Sequence, residues 1–282
     1  MSNWDIVVDG VDFGEGPRWH DGELWYSDFF QRAIYRVTSD GARTPVYSGL
    51  DDRPSGMGWL PDGTFVVVFM TSRRVMCDRG DGQLVEYADL SSIATGYCND
   101  MIVDRHGNAY VGNFGFDLDA GDKFVPADLA VVHADGTVGV AASGMAFANG
   151  SVITPDDSTL IVGQTFGAGY VAFTMHADGS LTDRRQWAEI PDTYPDGCSL
   201  DEAGGIWFSD AAGSQIIRVE EGGHVTARVP TPMPTFACTL GGDDGRTLFV
   251  LCAPSADPEG CAGKAAGAIY SMQVDHPRVG RP

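Results

Sequence analysis

The stretch GEGPRWHDGELWYSDF, residues 14–29, holds two strand-like runs joined by a turn, and five later stretches repeat its plan. They are RPSGMGWLPDGTFVVVFM (53–70), CNDMIVDRHGNAYVGNFG (98–115), ANGSVITPDDSTLIVGQT (148–165), PDGCSLDEAGGIWFSDA (195–211) and FACTLGGDDGRTLFVLCAP (236–254). In each, a β-branched and aromatic run follows a turn at or near glycine, the pattern of a strand packed on both faces. The turn positions Gly22, Gly63, Gly107, Ser158, Gly204 and Gly245 lie 41, 44, 51, 46 and 41 residues apart. A period in the forties is that of propeller blades, each built of four antiparallel strands.

The first repeat shows all four strands, as GPRW, ELWYSDF, AIYRVTS and ARTPVYSG, separated by HDG, FFQR and SDG. HDG, PDG and SDG supply residues that tolerate the positive φ of tight hairpins. No stretch keeps a 3.6-residue apolar period, so little helix is expected. Six units predict an all-β, six-bladed β-propeller that spans residues 1–282 as a single domain. The leading IVV run at Ile6 is expected to pair with AIYSMQV from Ala268 and close the ring.

Composition narrows the function. The chain has 282 residues, 43% of them apolar, enough for a substantial core. Its net charge of −21 disfavours nucleic acid and anionic membranes as partners, because phosphate recognition needs basic patches. No apolar run is long enough to span a bilayer. The segment MSNWDIVVDGVDFGEG lacks the basic and apolar regions of a signal peptide, so a cytoplasmic location is expected. The six cysteines form no CxxC pair and are expected to be reduced and mostly buried.

In a propeller the first strand of each blade lines a central tunnel. Aligned on their turns, the repeats begin this strand at Glu15, Ser55, Asn99, Asn149, Asp196 and Phe236. Glu15, Asn99, Asn149 and Asp196 should therefore converge on one axis from blades one, three, four and five. One such residue would be read as a turn cap. Four at equivalent points form an all-oxygen set suited to one divalent cation, with Ca2+ favoured because it tolerates irregular, water-completed shells. Mg2+, Mn2+ and Zn2+ stay open as alternatives, zinc least favoured because no histidine sits at a corresponding point.

The residues EGPRW at Glu15, CNDMIVD at Cys98, ANG at Ala148, PDGCSLD at Pro195, FACTLGG at Phe236 and DPEGCAGKAAGAIYSM at Asp257 resemble the senescence marker protein (regucalcin)/gluconolactonase/luciferin-regenerating-enzyme-like family. Squid diisopropylfluorophosphatase is a more distant relative. The resemblance implies a six-bladed propeller with a cation in its tunnel and hydrolysis of lactones. By motif it implies Glu15, Asn149 and Asp196 as metal ligands, with Asp196 also the general base. It implies Asn99 as a substrate contact that reaches, or does not reach, the metal.

One position departs from the pattern. Sugar-lactone members carry arginine two residues before the ND asparagine, and this chain has Tyr97 there. Tyrosine offers one hydroxyl and an apolar ring where arginine offers a fork of five donors. With Phe114, Phe116 and Phe166 close in sequence to these motifs, the expected mouth is more aromatic than a sugar needs. The expectation is a metal-dependent lactonase acting on a small lactone or ester. Asn99, Tyr97, Phe114 and Phe166 are its substrate contacts. Two alternatives remain: a phosphotriesterase-like hydrolase, and a metal-stabilised propeller that binds ligands without turnover. A serine-nucleophile route has no GxSxG elbow to support it. Oligomeric state is left open.

Overall fold

The computed structural model describes residues 4–38, 41–118 and 120–281. Ser39 and Asp40 of the SDG turn, Asp119 in the stretch after Asn113, Met1 to Asn3 and Pro282 lie outside the described residues. The described residues form six four-stranded antiparallel sheets, five of them laid out in sequence order from the inner strand outward and the last taking its outer strand from the start of the chain. Blade one shows the local logic. Its strands are Gly14–His20, Glu23–Asp28, Ala33–Val37 and Arg43–Ser48, close to the four runs of the first repeat. The two-residue turn between the first pair is Asp21-Gly22, with φ of 49° and 78°, so the HDG reading is physically required. In the fourth repeat the left-handed residue is Asp157, one before Ser158.

The second strands are buried along most of their length. Phe65–Phe69 and Ile206–Asp210 expose almost nothing, because each blade is covered by a neighbour on both faces. Each fully buried Val or Phe of this kind contributes about 1.5–3 kcal/mol of transfer free energy. Asp5–Val11 pairs with Gly267–Gln273, so the last blade is completed by the first strand and the ring is closed. Among the described residues helix is limited to one 3-10 turn, Thr165–Gly167, and one α-helical turn, Pro258–Cys261. No helix among the described residues is long and apolar enough to cross a membrane. All six cysteines are unbonded to one another and buried.

Two features bring the inner strands together at the axis. In every blade the pairing of inner and second strands slips just after the inner strand begins. This repeated β-bulge re-aims one side chain at the tunnel mouth. The next position is glycine in four blades: Gly16, Gly56, Gly150 and Gly197. A Cβ on Gly150 would stand 2.4 Å from the Asp196 carbonyl oxygen, and one on Gly56 2.3 Å from the Met101 nitrogen. Adjacent inner strands touch backbone to backbone here.

Candidate active site at the tunnel mouth

The residues singled out by alignment take equivalent places. Glu15, Ser55, Asn99, Asn149, Asp196 and Phe236 are each the second residue of their inner strand, with no slip between repeats. Glu15, Asn99, Asn149, Asp196, Phe114 and Phe166 all line one cavity of about 230 Å³ at the tunnel mouth. Ser55 does not line it. Its hydroxyl is fully buried without a partner among the described residues.

The electrostatics of the floor are unusual. Glu15 and Asp196 are buried, and burial pushes both carboxyls well above their ordinary range. Asp196 and Asp100 push Glu15 further in the same direction, and Asp100 does so for Asp196. Hydrogen bonds from the Gly16 and Gly197 amides and from Asn149 offset only part of this. Arg18, whose charge lowers Glu15 in part, is committed elsewhere. Its guanidinium donates to Asp100 Oδ1 at 2.7 Å and to the carbonyls of Pro17, Met57 and Met101. Arg18 thus ties three blades together and matches Asp100, leaving two buried carboxylates with no ion-pair partner among the described residues.

Asn149 is oriented by a relay. Thr165 donates its hydroxyl proton to the Pro195 carbonyl at 2.8 Å, so it can only accept from Asn149 Nδ2, at 3.1 Å. The amide oxygen is the end left for the cavity. Among the described residues no three His, Cys, Asp or Glu side chains are grouped as a metal cluster. The floor instead presents two carboxylates and two amides, an oxygen set that suits a hard divalent cation. A doubly charged ion would balance the carboxylates that burial otherwise penalises. The residues present fit such a group.

The walls are aromatic. Phe13, Phe29, Phe30, Phe147, Tyr194 and Phe236 join Phe114 and Phe166 around the cavity. Buried Asp28 holds part of this wall, accepting from the amides of Asp12, Phe13, Phe30 and Gln31. Phe147 has φ of 63°, costly for a bulky residue and found mostly where surroundings impose it at a ligand site. Its ring packs 4.4 Å from Phe114 and 5.3 Å from Phe166.

Tyr97 is placed differently. It does not line the cavity, and its half-buried ring packs behind Phe114 at 6.2 Å while its carbonyl accepts from the Phe114 amide. The cation in the wall is Arg53, which sequence reasoning missed. Asp52 fastens its backbone, accepting from the Arg53 amide at 2.6 Å and from Thr71 and Ser72. Its guanidinium lies 5.2 Å from the Phe30 ring centre and 5.8 Å from that of Tyr97. Arg53 stands two residues before Ser55, the offset at which Tyr97 precedes Asn99. The cation therefore occupies the same repeat position one blade earlier. The signal was present: Phe13, Arg53, Phe147 and Tyr194, all lining residues, each immediately precede an inner strand.

Comparison with known proteins agrees with this architecture. The SMP-30/gluconolactonase/LRE-like region model matches residues 13–254, and the chain belongs to that family. The pentonolactonase of Haloferax volcanii is 28% identical over 98% of this chain and 95% of its own length. The 6-deoxy-6-sulfogluconolactonase of Pseudomonas putida is 25% identical, covering 95% and 94%. Among solved structures, regucalcin from Agrobacterium tumefaciens, a calcium-binding protein, superposes with a TM-score of 0.81. At 19% identity over 98% of this chain and 95% of that one, it shares the fold.

Proposed function

We propose that the protein opens lactone rings with the help of a divalent cation, calcium foremost, held by Glu15, Asn149 and Asp196. The observation that carries this reading is the pair of buried, unpartnered carboxylates on the floor of an aromatic cavity. The lactonases among its relatives support the reaction class. The calcium-binding regucalcin supports the ion. When bound, the cation supplies Lewis-acid polarisation of the lactone carbonyl and charge opposite the developing oxyanion.

The chain's own residues do the rest. Asp196 accepts a proton from the attacking water as its oxygen bonds to the carbonyl carbon. The ring C–O bond then breaks, and the departing alkoxide takes the proton back from Asp196. Asn99 aligns the substrate through its amide or serves as a fourth ligand. Phe114, Phe147 and Phe166 hold the apolar part of the ring and keep bulk water out. Arg53 grips an oxygen substituent from the wall, the task Tyr97 was expected to share. The aromatic lining favours a lactone less hydroxylated than a hexonolactone.

The test is turnover of sugar, aliphatic and aryl lactones with and without chelator, beside a phosphorus–fluorine substrate on the same preparation. Calcium-restorable opening of aliphatic or aryl lactones is expected to exceed sugar lactones. Chelator-insensitive turnover removes the cation from the reading, and dominant phosphorus–fluorine cleavage replaces the reaction class.

A further inference from the structure

The larger cavity lies at the opposite mouth of the tunnel. It has a volume of about 540 Å³ and is lined by Arg18, Arg105, Arg278 and Arg281. Four of the chain's 18 basic residues meet here in a protein of net charge −21. Distant acidic charge is screened beyond about 8 Å at physiological salt, so the local balance governs this cavity.

That balance is positive. Arg18 is matched by Asp100, outside the lining. Of the two lining carboxylates, Asp104 is saturated by its own turn, accepting from the His106 and Asn108 amides and from Asn108 Nδ2. Asp157 is stretched between Arg105 at 3.7 Å and Arg281 at 3.4 Å, longer than a charge-assisted hydrogen bond. Arg278 has no carboxylate partner among the described residues. Its one protein acceptor there is the Trp19 carbonyl, at 2.8 Å. Burial, then Arg18 and Arg281, push its guanidinium below its ordinary value, a sign that positive charge is crowded here. Beside it, His20 lies flat on Trp59 at 3.6 Å, giving one apolar wall.

The C-terminal tail builds this cavity. It crosses under blades six, five and four, with backbone bonds from Arg278 to Gly245, Val279 to Leu200 and Arg281 to Ile153. A Cβ at Gly280 would stand 2.3 Å from the Ile153 carbonyl, so the tail lies hard against the ring. The backbone bonds already fasten the tail, and they do not account for three guanidiniums gathered around the one loosely held carboxylate of Asp157.

We propose that the far mouth is a binding site for a small organic anion, whose phosphate or carboxylate group is held by Arg278, Arg105 and Arg281. Planar guanidinium forks match both oxyanions through paired hydrogen bonds. The site is separate from the lactonase reading, since Arg18 and the glycine-tight inner strands stand between the two mouths.

The experiment measures thermal stability and binding heat of chelated full-length protein with inorganic phosphate, with tricarballylate, and with sodium chloride at matched ionic strength. Either oxyanion should stabilise saturably beyond chloride, and the stronger one identifies the group preferred. Arg278→Gln should weaken that binding at least about tenfold. Arg105→Gln, on a half-exposed residue outside the tail, should do the same and keeps the test valid if Arg278→Gln folds poorly. Arg228→Gln, on the exposed outer edge of blade five, should change nothing. Stabilisation no greater than chloride, equal binding by Arg105→Gln and the unsubstituted protein, or equal loss in Arg228→Gln would each overturn the proposal.

Discussion

At the scale of single residues, the proposed reaction rests its proton transfer on Asp196 and its selectivity on Arg53. Asp196→Asn keeps shape and hydrogen-bonding capacity but cannot accept the proton from water. It should leave the fold intact and lower kcat by about a hundredfold or more in lactone hydrolysis. Near-normal turnover would remove Asp196 from proton transfer. Arg53→Gln should lower kcat/KM on oxygen-substituted lactones by about tenfold or more, with little change in Tm. Adding Tyr97→Arg to that variant should recover part of the loss, because both positions share one repeat offset. A double variant no better than Arg53→Gln would deny that equivalence. Glu15, Asn99, Asn149 and Asp196 were legible as a set because the repeat gives them the same place. Arg53 and Phe13 were equally periodic, but their role depends on which blades face each other across the mouth.

At the scale of elements, the site is made by a bulge followed by close-packed glycines. Gly150 lies between Asn149 and the strand carrying Asp196. Its obstacle to substitution is space, since the backbone there has no unusual φ. Gly150→Ala should destabilise by about 1–3 kcal/mol, read as a fall in Tm, because backbone cannot yield as a flexible side chain does. Activity should fall further than stability, as the two strands part where Asn149 and Asp196 meet. Unchanged Tm and turnover would show that the inner strands have slack. The long interval of 51 residues before Ser158 was the sequence trace of the segment after Asn113. That segment carries Phe116 and Phe124, whose rings continue the aromatic rim to Phe166.

At the scale of the whole molecule, the ring holds two buried carboxylates that carry a stability cost unless a cation balances them. In chelated protein Glu15 and Asp196 keep protons that the unfolded chain releases, because their folded values are raised. Stability must therefore fall as pH rises above the ordinary values, 4.5 for Glu15 and 3.8 for Asp196, towards the raised ones. The expected result without calcium is a Tm that declines as pH rises above the ordinary carboxylate values, with the decline largely abolished by saturating calcium. Glu15→Gln should show a shallower decline in chelator. A flat Tm profile for chelated protein would mean that the carboxylates carry no such cost. Asp52 acts in the opposite sense at lower pH. Burial raises it, but hydrogen bonds from Ser72 and Thr71 outweigh this and hold its carboxyl below the ordinary range.

The sequence by itself determined the six-bladed ring, its closure by the first strand and the polar set at the tunnel mouth. These follow from alternation, turn chemistry and a repeated offset, all local or periodic along the chain. The tertiary structure decided the rest. It set Tyr97 behind Phe114, brought Arg53 into the wall, and gathered Arg105, Arg278 and Arg281 beneath the ring. Such groupings join residues far apart in sequence, and Arg278 and Arg281 stand outside the repeat altogether. The groupings exist only when blade packing and the docked tail bring the side chains within reach of one another.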